Sequence, residues 1–313
     1  MDKYIIGIDL GGTIMKIGIV QDGKVIASCA IKSDSENGLG RKLPEIEVTI
    51  KKMLHEQHIL SSELAGIGLC FPGLIDSLRS IVLSTNAKYD DAPDLNLKSW
   101  AQHCFGGEFY MDNDARMAAV GEWKYGAAKC YNNVVVVTIG TGIGAGVIIQ
   151  GQILKGVHFQ AGCLGGHLSI DYKGRRCSCG SIGCIEAMSS SFFLNDIIRE
   201  NQQIDADFYK QYAPFDFKKL FDLFSTGDPD AQKIGYDCMD VWSAGIVNLI
   251  HAYDPEIVVL GGGIIKSANI IIPYIQQRVD SLAWTPWGKV KIVESELKDN
   301  IGIIGVAHCV LNN

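Results

Sequence analysis

The sequence predicts an α/β protein of two related domains, and three observations support this. Its 313 residues suit two domains of roughly 150 residues each. With 47% hydrophobic and 20% charged residues, the balance is that of a folded globular protein, not a disordered one. A strand, a Gly/Thr turn and a returning strand occur twice. The first copy is 4–9, Gly11-Gly12-Thr13 and 15–20; the second is 134–139, Gly140-Thr141-Gly142 and 143–149. A spacing of about 130 residues is too long for a solenoid and points to two α/β domains facing each other.

The elements follow in order. The run 4–9 and the run 15–20, parted by glycines, read as a hairpin. Asp22-Gly23 is a tight-turn signal leading into 25–31. Residues 44–58 have helical spacing, 64–70 form a buried strand ended by Phe71-Pro72-Gly73, and 109–111 a short strand before a helix at 114–125. The stretch 160–184 is irregular and rich in Gly and Cys. Helical patterns then run from 185 to about 253, including the amphipathic run 231–251. Asp254-Pro255 ends that helix, because proline pushes the preceding residue out of the α region. A strand at 257–260 enters Gly261-Gly262-Gly263, and 301–311 is a last helix. The expected domains are 1–115, rejoined by the C-terminal helix 301–313, and 116–300.

Composition excludes several classes. A net charge of −7 argues against a nucleic-acid partner, whose phosphates demand cationic contacts. No run approaches the ~20 apolar residues that cross a bilayer. The opening Met1-Asp2-Lys3-Tyr4 reads into a core strand and not as a signal peptide. Ten cysteines without an export signal therefore imply reduced thiols and a cytoplasmic protein. Three of them are bunched, and the other seven are expected to be reduced and buried.

Four segments carry chemistry. A Gly/Thr hairpin turn presents bare N–H groups and a hydroxyl, a concavity that suits nucleotide phosphates. Asp9 ends a buried strand beside the first such turn, where a carboxylate is costly unless paired or holding a cation. A Mg²⁺ bridging ATP phosphates would supply that partner; the bland alternative is a cap on its own turn. Asp114, after Asp112-Asn113, opens a helix. It is either a cap or the base that takes a proton from an attacking hydroxyl, with Asn113 bonding a neighbouring hydroxyl. His167, Cys177, Cys179 and Cys184 can close a tetrahedral Zn²⁺ site, and four protein ligands make it structural. Glu186, two residues on, would be held by that site to bond a sugar hydroxyl, or else it simply starts a helix. Gly261, Gly262 and Gly263 at a strand end let a flat ligand such as adenosine approach the backbone.

Taken in order, the segments IGIDLGGTIMKIGIV, GIGLCFPGLID, MDNDARMAAVGEW, VVVVTIGTGIGAGVIIQGQIL, CSCGSIGCIEA and DPEIVVLGGGI resemble the ROK family (repressors, open reading frames and sugar kinases). The resemblance implies two actin/hexokinase-like (ribonuclease H-like) domains flanking a cleft, with a structural zinc in the second. It also implies ATP-dependent phosphorylation of a hexose or hexose derivative, glucokinase-like, with water excluded by domain closure. On matching positions, Asp9, Gly11, Gly12 and Thr13 fall on the first phosphate motif and Gly140, Thr141 and Gly142 on the second. Gly261, Gly262 and Gly263 fall on the adenosine motif, Asp114 on the catalytic base, and Asn113, His167 and Glu186 on sugar contacts. His167, Cys177, Cys179 and Cys184 fall on the zinc ligands. The family often forms dimers, although no residue here derives one.

There is one departure. The family usually reads A-G-E-x-G-H, whereas 161–167 is Ala-Gly-Cys-Leu-Gly-Gly-His, one residue longer and without an acid. Counting back from His167 puts Leu164 at the Glu position; counting forward from Ala161 puts Cys163 there. Loss of a buried acceptor of a substrate hydroxyl is worth roughly 1.5–3 kcal/mol, so the sugar is not specified. The alternatives to a kinase are a catalytically silent sugar-binding protein and a sugar-responsive regulator. Regulators of this family carry a helix-turn-helix ahead of the first phosphate motif, for which eight residues before Asp9 leave no room.

Overall fold

A computed structural model describes residues 4–85 and 87–312, and its contacts divide the chain into two compact units. The first comprises the chain up to Cys130, Ile153–Cys163 and the end from Asp299; the second comprises Tyr131–Gln152 and Leu164–Lys298.

The first unit contains β1 (Tyr4–Leu10), β2 (Ile14–Gln21), β3 (Lys24–Lys32), α1 (Leu43–Glu56), β4 (Leu64–Phe71), a small hairpin of β5 (Gly73–Asp76) and β6 (Ile81–Thr85), α2 (Leu97–Phe105), β7 (Glu108–Asn113) and α3 (Asp114–Tyr125). Its sheet runs β3-β2-β1-β4-β7, with β1–β2 antiparallel and β1–β4–β7 parallel. The two-residue side-chain period of β1 decides its packing. Ile6, Ile8 and Leu10 enter a core with Ile46 and Ile50 of α1 and Leu97 of α2. Ile5 enters a second core with Met117 and Val120 of α3 and with Ile303, Val306 and Val310 of the chain's last helix, Ile301–Asn312. Helices on both faces bury β1 almost throughout, which explains its continuous apolar run. Edge strand β3 instead alternates between exposed and half-buried residues.

The contacts place the boundary of this unit at 130, and the expected one at 115 falls inside it. The reason is α3, whose apolar face shares a core with the last helix, so that the chain leaves only after α3 has ended.

The second unit contains β8 (Val134–Ile139), β9 (Ile143–Ile149), the first residue of a short edge strand β10 (Gln152–Ile153), α4 (Ile185–Ser189), α5 (Ser191–Glu200), α6 (Ala206–Tyr212), α7 (Phe217–Ser225), α8 (Pro229–Tyr253), β11 (Ile257–Gly261), α9 (Ala268–Leu282) and β12 (Lys291–Glu294). The last helix is therefore α10. The sheet order is β10-β9-β8-β11-β12. Here β8–β9 is an antiparallel hairpin, and β11 runs parallel to both β8 and β12. A hairpin followed by two parallel strands is also the order of the first sheet, so the repeated strand–turn–strand marks two copies of one arrangement. Helix α8 starts where Asp228 accepts the N–H of Ala231 at 2.9 Å, with Pro229 in its first turn. It ends at Asp254, in the left-handed region at φ +47° just before Pro255.

All ten cysteines are unpaired, but the seven scattered ones are not uniformly buried. Cys70, Cys163 and Cys238 are; Cys29, Cys104 and Cys309 are half-buried, and Cys130 is exposed where the chain leaves the first unit. Among the described residues, no helix is long and apolar enough to cross a membrane.

Candidate active site and metal cluster

In the first unit the Gly11-Gly12-Thr13 turn joins β1 to β2. Its carbonyls are turned back into the protein: Tyr89 Oη donates to Gly11 O at 2.8 Å, while Ser33 Oγ and Ser35 Oγ donate to Gly12 O at 2.6 and 2.9 Å. Among the described residues nothing accepts from the N–H groups of Gly12 and Thr13. That polarity suits an anion.

Asp9, one strand position before Leu10, is half-buried. A Cβ on Gly302 would stand 3.3 Å from its Oδ2, which places the carboxylate against the first turn of α10. Although a helix N-terminus favours the anion, burial and then the nearby Asp114 carboxylate push the Asp9 pKa up to about 6, with Lys16 opposing. The Lys16 charge offsets that cost only in part. A hard oxygen donor beside free backbone N–H groups fits a Mg²⁺ that keeps most of its waters.

Asp114 starts α3. The N-cap is Asn113, whose Oδ1 accepts the N–H of Arg116 at 3.1 Å. Capping therefore does not account for Asp114. Its Oδ1 accepts Ala115 N–H at 2.8 Å and Asn113 Nδ2 at 2.9 Å, and the same Asn113 amide also donates to Gly73 O at 3.1 Å. One oxygen is thereby fixed and the side chain held in one orientation. Burial raises the Asp114 pKa, while the Ala115 N–H and the Lys88 charge pull it back. Beneath lies a salt bridge between fully buried side chains, Arg116 Nη1 to Asp112 Oδ1 at 2.6 Å. Arg116 also donates to Phe159 O at 2.5 Å and to Cys163 Sγ at 3.3 Å. Cys163 is thus occupied with structure, and Leu164, 36% exposed, is the open residue of the acid-free stretch.

In the second unit, Gly140 and Gly142 bend between β8 and β9, and Gly261–Gly263 leave β11, the parallel neighbour of β8. The two loops meet: among the described residues, chain neighbours aside, the only heavy atom within 4 Å of a Cβ built on Gly140 is Gly263 N at 3.8 Å, and none lies that near one built on Gly263. Gly262, at φ +86°, would bring a Cβ within 2.4 Å of Ile139 O, so only glycine fits. This is the crevice at the carboxyl ends of parallel strands where α/β sheets bind ligands. The hydroxyl-bearing Thr141 is exposed, and its carbonyl is held by Phe192 N–H at 3.0 Å. Glu186 Oε2 accepts Ile143 N–H at 2.8 Å, and a Cβ on Gly142 would stand 2.6 Å from that oxygen. Glu186 therefore packs on the second glycine turn, a proximity that its sequence position did not announce.

His167, Cys177, Cys179 and Cys184 bring one ligand atom each to within 4.8 Å of one another. Cys177 Sγ is 3.7 Å from His167 Nδ1, and Cys179 Sγ is 3.7 Å from Cys184 Sγ. A tetrahedron of ligands about 2.3 Å from zinc has edges of about 3.8 Å, so these atoms fit Zn²⁺ and are too far apart for a disulfide. The tight loop 177–181, closed by Cys177 N–H to Ser181 O at 2.8 Å, sets two of the thiols. Cys184 leads directly into α4, whose first turn carries Glu186.

Lys88, Tyr89, Ser33 and Ser35 were not legible as site residues. They reach the glycine turn through tertiary contacts, and no local motif marks them.

Two α/β units, one with paired carboxylates at a glycine turn and one with a glycine crevice beside a Cys₃His cluster, define the class: an α/β protein of the sugar kinase fold. The chain belongs to the ROK family, whose model matches residues 5–313. It is 30% identical over 320 residues to a glucokinase of Thermotoga maritima, covering 98% of this chain and 96% of that one. It is also 31% identical over 321 residues to a xylose repressor of Bacillus spizizenii, covering 99% of this chain but 77% of the repressor. The crystal structure of a ROK hexokinase from Thermus thermophilus superposes with a TM-score of 0.74 at 27% identity, over 97% of this chain and 96% of that one.

Proposed function

We propose that the chain is a cytoplasmic ATP-dependent sugar kinase that transfers the γ-phosphoryl group to a hydroxyl of a hexose or hexose derivative. The observation that carries this reading is Asp114: a half-buried carboxylate, oriented by Asn113 and Ala115, in the same unit as Asp9 and an anion-ready glycine turn. A protein that only binds sugar has no use for phosphate loops beside a base.

In the reaction, Asp114 accepts the hydroxyl proton as the sugar oxygen bonds to the γ-phosphorus. The bond from that phosphorus to the bridging oxygen breaks and ADP leaves. Gly11, Gly12 and Thr13 bind phosphate oxygens in the first unit; Gly140, Thr141 and Gly142 do so in the second, and Gly261, Gly262 and Gly263 receive the adenosine. Mg²⁺ bound at Asp9 would neutralise phosphate charge. Asn113, His167 and Glu186 bond sugar hydroxyls. With Nδ1 of His167 turned to the thiols, Nε2 is left for the sugar, and Zn²⁺ at His167, Cys177, Cys179 and Cys184 would be structural. The aliphatic Leu164 in place of an acid supports a substrate other than glucose, or weakened affinity for it.

The test is ADP release from Mg-ATP across hexoses, N-acetylhexosamines and ketohexoses, with Asp114→Asn alongside. One sugar should turn over, and the variant should lose about 10²- to 10⁴-fold in kcat. A second reading, a sugar-responsive regulator without catalysis, is favoured by the match of 99% of this chain to a xylose repressor, of whose own length 77% is covered. A folded, zinc-loaded protein that gains thermal stability with a sugar but releases no ADP would establish it instead.

A further inference from the structure

Lys88 belongs to no sequence motif, yet the fold delivers it to the first glycine turn. If Gly12 carried a Cβ, Lys88 Cε would be 2.9 Å from it and Nζ 3.3 Å. The lysine stem thus crosses bare backbone where the turn's N–H groups are free. The next residue fixes this placement. Tyr89 is fully buried at φ +57°, its N–H donates to Ser35 O at 2.8 Å, and its hydroxyl donates to Gly11 O at 2.8 Å. Its ring also lies 6.0 Å from that of Phe71. The acids that follow are engaged elsewhere: Asp90 accepts the Thr85 hydroxyl at 2.5 Å, and Asp91 takes the N–H groups of Leu39 and Gly40 at 2.6 and 2.8 Å. Among the described residues no ion pair ties down the Lys88 ammonium. Its charge is felt at Asp114, whose carboxyl it stabilises as the anion. A cation lying over the phosphate turn, with its charge felt at the base, is placed to meet the group that the reaction transfers.

We propose that the Lys88 ammonium binds the terminal phosphoryl group of the nucleotide and stabilises its charge as it passes to the hydroxyl held at Asp114. This rests on the kinase reading above. Lys88 donates hydrogen bonds and charge but no proton: the hydroxyl proton goes to Asp114, the phosphorus–oxygen bond to ADP breaks, and the bond to the sugar oxygen forms. A positive clamp on the moving phosphoryl group acts mainly in the transition state, so kcat carries the effect.

The experiment titrates Mg-ADP and a Mg-bound, non-hydrolysable ATP analogue calorimetrically into wild type, Lys88→Met and Lys88→Arg. Turnover is measured on the same samples. For Lys88→Met, affinity for the analogue should fall about 10-fold while ADP binding holds, since ADP lacks the group contacted. Its kcat should fall about 100-fold with the sugar KM within about twofold, and Lys88→Arg should recover part of both. Equal losses for both nucleotides, no loss for either, or a loss confined to sugar affinity would overturn the assignment. Retained ADP binding reports that the variant is folded. If wild type turns over no sugar but the analogue-versus-ADP difference persists, the kinase reading and the transfer role of Lys88 fail together, and only its contact with the terminal phosphoryl group stands.

Discussion

At the scale of the residue, the costly feature of the first unit is the half-buried carboxylate of Asp9, whose proton affinity is raised by burial and then by the nearby Asp114. Asp9 is held at about 6 against an ordinary 3.8. Because its folded-state pKa lies above the unfolded value, the native state binds that proton more tightly. Ionising Asp9 therefore costs stability progressively as pH rises from about 4 through about 6, and the full cost persists at neutral pH. A neutral isostere removes it. Asp9→Asn should stabilise the ligand-free, metal-free protein at pH 7.5 by about 1–2 kcal/mol, a rise of several degrees in melting temperature, and the gain should vanish near pH 4. The same variant should lose most Mg-ATP turnover. Calorimetric melting at the two pH values checks the stability claim; equal melting of variant and wild type at pH 7.5 would show that the carboxylate is already compensated. Retaining a residue that weakens the fold is what a functional carboxylate does.

At the scale of the element, the Cys/His segment would join two roles under the kinase reading. The loop 177–181 and the chain from Cys184 into α4 place a candidate metal ligand two residues ahead of Glu186, and His167 is a second candidate. Removing the metal should loosen His167 and Glu186 together. Chelation, or Cys184→Ser, is therefore expected to lower the melting temperature and to raise the sugar KM by about 10-fold or more, with one zinc per chain lost by elemental analysis. A sugar KM that survives chelation while stability falls would separate the metal from the substrate. Elements of this kind were readable in the sequence because their information is local. Turn glycines, a Cys/His cluster closed within eighteen residues and a carboxylate at a helix start need no knowledge of distant chain. What could not be read rests on tertiary contacts: Tyr89 on Gly11, Ser33 on Gly12, Lys88 over Gly12, and Cys163 on Arg116. The two assignments left open for the missing acid show the same limit, since only packing reveals that Cys163 is engaged with Arg116 and Leu164 is not.

At the scale of the whole molecule, the first unit is assembled from both ends of the chain. Its core lacks Ile303, Val306 and Val310 until the last helix is in place. The sequence indicated that α10 returns to the N-terminal half but not that α3 goes with it, because a helix's partner is written in shape complementarity and not in period. The contact between these two helices is closer than any side chain allows: a Cβ on Gly305 would stand 1.8 Å from Met117 O and 2.8 Å from Gly121 N, both backbone atoms of α3. Neither can yield as a flexible side chain would, so one added methyl must push the helices apart. Gly305→Ala should therefore destabilise by about 2–4 kcal/mol, at or above the usual cost of overpacking, and lower the first unit's melting temperature by about 5–10 °C. The exposed Leu311→Ala on the same helix should leave it within about a degree. The displacement should reach the site too, because Gly302 in the first turn of α10 lies against Asp9. A loss of kcat at temperatures where the variant remains folded would show that the terminal helix positions the carboxylate. Full activity below the melting transition would confine α10 to holding the unit together.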